Sequence, residues 1–294
     1  KEGIDFFPLS VDYQEKFAAV GRIPGGFLKR ENRPSDYEIL ISRLIDRAIR
    51  PLFAEDFHGD IQVLVSLISS DKDINPDALV GFAASAAIML TDLPFNGPMS
   101  EVRVARVNGE FVINPSKSQM INADIDLIVA GTANDINMVE GEAKEISESE
   151  MVEALKFAHE YIKKQCQAQL DFVELAGGKK PRLEYTHETK DESLKARIYE
   201  FGKTKYETIS KGNLGKKERT DAYKAVVEEF VASLPEDHTE DSGLIKKYFH
   251  DLQYDVVRAM ITNDRKRLDG RSLDQVRPIW TEVDYLPSAH GSAI

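Results

Sequence analysis

The sequence predicts an α/β (α+β) chain in which a mixed-sheet domain is followed by a small all-helical domain. Three observations lead there. Apolar periods of strand and helix type alternate from the N-terminus to about residue 170, in the order β, α, β, α, β-hairpin, β, β, α. Gly177-Gly-Lys-Lys-Pro181 then breaks the pattern and reads as a linker. Beyond it strand signals nearly vanish, and helical segments fit near 191–211, 217–234 and 241–262. The expected boundaries are 1–178 for the mixed domain, 188–262 for the helical one and 266–294 for the start of a third unit, with a new β element at 281–286.

Residues 6–20 alternate apolar and polar side chains and read as one or two strands. Ser35 and Glu38 have capping-box spacing, each able to satisfy an orphan backbone N–H, so a helix opens there. Ile39, Leu40, Leu44, Ile45 and Ile49 form its apolar stripe, Arg43, Asp46, Arg47 and Arg50 recur on the other side, and Pro51 stops it. Residues 61–69 are a continuous apolar run of strand length, and 78–93 an Ala-rich helix that can pack closely on a sheet. The stretch 101–113 reads as a hairpin around Asn108-Gly109, the dipeptide that tolerates the positive φ of a type I′ turn. Two further strands follow at 125–130 and 136–143. A long amphipathic helix then fills 147–170, again with capping-box spacing at Ser147 and Glu150.

At 294 residues and 42% hydrophobic, the chain can bury a real core in two domains or parts of three. No apolar run reaches the length of a membrane span and no signal peptide is read. The single Cys166 lies inside a helical pattern and cannot close an internal disulfide, so a reducing, cytoplasmic setting is expected. The chain opens without Met and stops in a strand-like stretch, as a piece of a longer protein would.

A net charge of -12 argues against a general nucleic-acid coat but leaves room for a focused channel. Residues 22–50 are the exception to that acidity, with seven Lys/Arg against four Asp/Glu. Within them the glycine-rich turn 21–35 sets Phe27 between glycines and the cations Lys29, Arg30 and Arg33. An exposed aromatic can stack on a base while cations hold phosphates, a combination indifferent to sequence. Burial of Phe27 in the core is the competing reading. Arg22, Arg43, Arg47 and Arg50 are secondary candidates for RNA contact, against the ordinary reading of a solvated helix face. Asp124 and Asp126, alternating along a strand, could hold Mg²⁺ or act as acid and base, but no third oxygen ligand is evident nearby. The six histidines show no zinc-like spacing, and no phosphate-binding glycine fingerprint or nucleophile elbow is present.

Several segments together resemble the bacterial polynucleotide phosphorylases. The loop and helix from Ala19-Val-Gly-Arg-Ile-Pro-Gly-Gly-Phe-Leu-Lys-Arg to Ile41-Ser-Arg-Leu-Ile-Asp-Arg-Ala-Ile-Arg-Pro-Leu-Phe53 are similar to that family's. So are Ala123-Asp-Ile-Asp-Leu-Ile-Val-Ala-Gly-Thr132, Met138-Val-Glu-Gly141, Leu268-Asp-Gly-Arg271, Val276-Arg-Pro-Ile279 and His290-Gly-Ser292. The resemblance implies two ribonuclease PH-like halves joined by a helical domain, with three protomers ringing an RNA channel. It implies phosphorolysis of single-stranded RNA from the 3′ end by inorganic phosphate with Mg²⁺, releasing nucleoside diphosphates; neither DNA nor a membrane is an expected partner.

The family's channel loop carries two aromatics and two arginines. Here those positions hold Phe27, Leu28, Lys29 and Arg30, so one stacking ring and a weaker fork remain. The resemblance places the catalytic aspartates and phosphate-binding arginines in the second half, so no catalytic residue and no metal ligand is expected in this chain. Asp126 is similar in position to one catalytic aspartate, but its partner position near Met120 offers no carboxylate. Ser288 replaces an arginine common in relatives. The other readings are a complete, non-catalytic RNA-binding ring subunit, or an unrelated α/β enzyme using Asp124 and Asp126 with a metal.

Overall fold

Strand β1 (Leu9–Glu15) runs parallel to β2 (Ile61–Leu67), with Leu9 opposite Ile61 and Glu15 opposite Leu67. Parallel strands need a crossover, and the amphipathic helix α1 (Asp36–Ile49) lies between them in the chain and packs on β1. The computed structural model describes residues 6–25, 33–187, 190–235 and 240–294, which divide into two units, 1–188 and 189–294.

The first unit continues with α2 (Asp77–Met89) and a four-stranded antiparallel sheet. Its strands are β3 (Met99–Val107), β4 (Glu110–Ile113), β5 (Ala123–Thr132) and β6 (Ile136–Ala143), in the order β4-β3-β5-β6. The β3–β4 turn takes positive φ at both Asn108 (52°) and Gly109 (85°), as the sequence predicts. A short helix α3 (Lys117–Met120) precedes β5, and α4 (Glu148–Leu175) follows β6. Ala154, Ala158, Ile162 and Cys166, at four-residue steps on α4, pack against Val102, Val104, Ile125, Leu127 and Val129. Ile128 and Ala130 point the other way, into a second core shared with α1, α2, β1 and β2. The strand β5 is thus buried on both faces, and for that reason its sequence reads as a continuous apolar run.

The second unit packs α5 (Glu192–Lys211), α6 (Lys216–Ala232) and α7 (Ser242–Asn263) around Leu194, Ile198, Tyr206, Phe230, Phe249 and Leu252. Asp191 and Asp241 cap α5 and α7, their carboxylates accepting from the N–H groups of Leu194 and Gly243.

Two expectations need correction, the end of α4 and the β element at 281–286. Of the one or two strands expected over 6–20, one forms; beyond it Phe17–Val20 makes a 3₁₀ turn closed by Gly21 at φ +67°, and the Ala19 carbonyl accepts from the Ser70 N–H. Helix α4 runs to Leu175 rather than 170, because Val173 still has core to enter. The first compact unit runs to 188. Its last segment returns to the core shared with α1, α2, β1 and β2, where the Tyr185 ring lies edge-on to Phe57 and Asp56 accepts from the Tyr185 hydroxyl and His187 Nδ1. At 281–286 no strand forms among the described residues; there is one bridge, Val283 to Ala293, with Val283, Tyr285 and Leu286 exposed for want of a sheet to cover them. No helix among the described residues is long and apolar enough to cross a membrane.

Candidate nucleic-acid interface

Glu38 fixes the base of the loop that the sequence singles out. It is buried at the start of α1, where the Ser35 hydroxyl accepts from its N–H at 3.3 Å. Its own Oε2 accepts from the Ser35 N–H at 2.6 Å and hydroxyl at 2.7 Å, completing the capping box. Its Oε1 accepts from the Glu15 N–H at 2.7 Å, at the end of β1. One carboxylate therefore ties together the chain entering the loop and the chain leaving it. Burial works to raise the Glu38 pKa, but the two backbone N–H groups and the hydroxyl outweigh it and hold it below the ordinary carboxylate range.

Phe27, Leu28, Lys29 and Arg30 lie outside the described residues. Arg22 and Arg33 stand exposed on the two sides of that segment. Beside Arg22 is a cleft of about 380 Å³ lined by Glu15, Tyr37, Asp71, Lys72 and Lys117, so its charge is mixed. On α1, Arg43 is exposed and in no ion pair among the described residues, whereas Arg47 is held by Glu140 of β6. Arg50 is committed to the fold. It donates to both Asp46 oxygens and to the carbonyls of Phe7 (2.7 Å) and Leu9 (3.1 Å), with its guanidinium 5.6 Å from the Phe7 ring centre. The structure thus places Arg22, Arg33 and Arg43 as accessible cations and makes Arg50 a clasp between α1 and β1.

The two strand aspartates are occupied as well. Asp126 takes Nε and Nη2 of Arg103 on its two oxygens at 2.7 and 2.9 Å, while Nη1 of the same guanidinium holds buried Asp77. Asp124 is forked by Arg106, which also reaches Glu150. The Arg106 hydrogen bond holds the Asp124 pKa down, and Glu150 falls to about 2 under the Ser147 N–H and Arg106. Neither aspartate fits a Mg²⁺ ion while so forked. Among the described residues no group of three or more His, Cys, Asp or Glu is placed to hold a metal.

The sequence reading missed Arg103 of this network, and Glu101 two residues before it on β3. The available signal was Glu101 and Arg103 at i and i+2 in a strand that also carries Arg106, a spacing that puts the first two on one face. Glu101 lies wholly buried, accepting from the Gly81 N–H at 3.1 Å, and its Oε2 has no partner among the described residues. Burial pushes its pKa up to about 8.

Comparison with known proteins gives three successive family matches. Residues 1–94 match "3' exoribonuclease family, domain 1", 97–161 match "3' exoribonuclease family, domain 2", and 193–272 match "Polyribonucleotide nucleotidyltransferase, RNA binding domain". The mixed-sheet unit is therefore of the 3′ exoribonuclease, ribonuclease PH-like class. The polyribonucleotide nucleotidyltransferase of Cytophaga hutchinsonii is 57% identical over 100% of this chain, and that of Bacteroides fragilis 52% over 99%. Within the class, the chain belongs to the polyribonucleotide nucleotidyltransferase family. It spans 41% of the length of each of these relatives. A chain of the solved Archaeoglobus fulgidus exosome with RNA bound to the active site is 19% identical, with a TM-score of 0.43 over 56% of this chain and 71% of that one, too distant to add to the assignment.

Proposed function

We propose that this chain is the N-terminal part of a 3′-to-5′ phosphorolytic exoribonuclease, a polyribonucleotide nucleotidyltransferase that releases nucleoside diphosphates from single-stranded RNA. The observation that carries the reading is the run of the two exoribonuclease domains and the helical RNA-binding domain along one chain, in a sequence 57% identical to such an enzyme. Residues 1–178 are the first ribonuclease PH-like core, 188–262 the helical domain and 266–294 the beginning of a second core. The assembled protein is a cytoplasmic homotrimer acting in mRNA degradation, with Mg²⁺ and inorganic phosphate used in the second core.

In this arrangement the first core scaffolds the ring and presents an RNA aperture. Phe27 stacks on bases, Lys29, Arg30 and Arg33 hold phosphates beside Leu28, and Arg22 and Arg43 extend the positive surface. The Arg103 fork on Asp126 supports the division of labour. A carboxylate bound through both oxygens to a guanidinium, itself braced by Asp77, is neither a free base nor an open metal ligand.

Incubating the purified chain with poly(A), Mg²⁺ and phosphate should release no ADP, while the full-length protein releases it. Robust ADP release by this chain alone would sink the assignment of catalysis to the second core. In the full-length protein, Phe27→Ala with Lys29→Ala and Arg30→Ala should weaken RNA binding and processivity. Unaltered values would remove the loop from the RNA path.

A further inference from the structure

The acidity of the molecule is not evenly spread. From residue 189 on there are eighteen Lys/Arg against nineteen Asp/Glu, so nearly all of the net -12 belongs to the first unit. Within the near-neutral helical unit, one face of α7 carries Lys246, His250, Gln253, Tyr254, Val257 and Arg258, at three- and four-residue steps. Two hollows open along it. One, of about 250 Å³, lies between α6 and α7 over the rings of Tyr206, Tyr223 and Phe249, with Lys224 and Lys246 among its lining residues. The other, of about 320 Å³, continues past Tyr254 and Arg258 to Leu268. His250 and Gln253 line both, so they form one trough.

Among the described residues no carboxylate lines either hollow, in a chain with fifty Asp/Glu. Lys224, Lys246 and Arg258 are in no ion pair among the described residues, whereas Arg197, Lys205 and Lys211 of the same unit are paired with Glu240, Glu229 and Asp264. Asp255 of α7 is turned to another neighbour, accepting from the Tyr199 hydroxyl at 2.7 Å. Tyr254 is 63% exposed, so its ring is free to meet a ligand. At about 1.5 Å per residue, Lys246 to Arg258 spans roughly 18 Å, enough for a few nucleotides of an extended strand.

We propose that this trough binds single-stranded RNA, with Lys246 and Arg258 on phosphates, Tyr254 stacked on a base, and His250 and Gln253 offering hydrogen bonds between them. Cations hold the strand without reading its sequence, and a ring adds stacking that any base satisfies. The proposal deepens the functional reading above, since it rests on that reading's RNA-binding assignment, but it involves no residue of the 22–50 region.

The test uses the whole chain and a fluorescein-labelled oligoadenylate, followed by anisotropy across a salt series. Lys246→Ala with Arg258→Ala should weaken binding on the order of tenfold at low salt. It should also flatten the slope of log K against log salt by about 1.4, near 0.7 for each lost phosphate contact on a single strand. Tyr254→Ala should cost on the order of tenfold and Tyr254→Phe little, because the ring and not the hydroxyl does the stacking. Circular dichroism would establish that these surface variants remain folded. Unchanged affinity and slope in the α7 variants overturns the proposal, as does a change in sedimentation with RNA affinity intact, which would make the face a protein contact. Lys29→Ala with Arg30→Ala, measured in parallel, separates the two readings. Loss of binding there alone keeps the loop and sinks the trough, loss in the α7 variants alone does the reverse, and loss in neither sinks both.

Discussion

Glu101 is the residue whose chemistry is least visible from its neighbours in sequence. Its carboxyl is enclosed between β3 and α2, close enough that a Cβ on Gly81 would stand 2.7 Å from its Cδ. Gly81→Ala should therefore destabilise the first unit by about 1–3 kcal/mol, read by denaturant titration. With the folded pKa near 8 and an unfolded carboxylate near the ordinary value of about 4.3, the folded protein binds more protons between those limits. Stability should fall as pH rises through that window, and Glu101→Gln should flatten the fall; an unchanged slope would show the carboxyl reaching solvent. Cys166 is buried against the sheet with its thiol pushed up to about 11 by desolvation. It should resist a thiol reagent such as DTNB at pH 8 until the protein unfolds.

At the scale of elements, the link between β1 and α1 depends on Glu38. Its lowered pKa means that its contribution is present above the unfolded carboxylate value and is lost as pH falls through the folded one. Glu38→Gln should cost on the order of 1–3 kcal/mol and raise hydrogen exchange at Glu15 and Ser35 first, since these two N–H groups lose a charged acceptor. Equal protection at both amides in the variant would count against the clasp. The capping box itself was legible, because Ser35 and Glu38 are three residues apart. The third bond, to Glu15, was not, because it joins residues 23 apart and depends on where β1 ends. The same holds for Arg50, which reads as one of four polar helix positions and becomes a clasp only because β1 brings two carbonyls to it. Asp124 and Asp126 read as a pair, yet they serve different arginines, across a strand whose register shifts at Arg106/Val107.

Across the whole molecule, two sets of buried side chains share no residue: one group of cores within 9–173 and one within 194–256. Phe249→Ala should therefore cost about 3–5 kcal/mol in the helical unit. Segment-resolved hydrogen exchange should find α5, α6 and α7 opened while β3 and β5 keep their protection. Uniform loss of protection would mean that the cores fold as one. What the chain determined alone was whatever depends on near neighbours: the order of elements, the caps, the Asn108-Gly109 turn, and the change from sheet to helices after the Gly-Gly break. Its family was legible too, since several short segments kept their residue types together. Only the tertiary structure decided which charges stay available. Guanidinium and carboxylate groups look alike in sequence whether solvated or forked, and their pairing is set by strand register and helix packing between residues far apart in the chain. That is why the sequence of β3 does not tell the buried Glu101 and the forked Arg103 from solvated charges, and why the open face of α7 emerges only in the fold, where Asp255 turns to Tyr199.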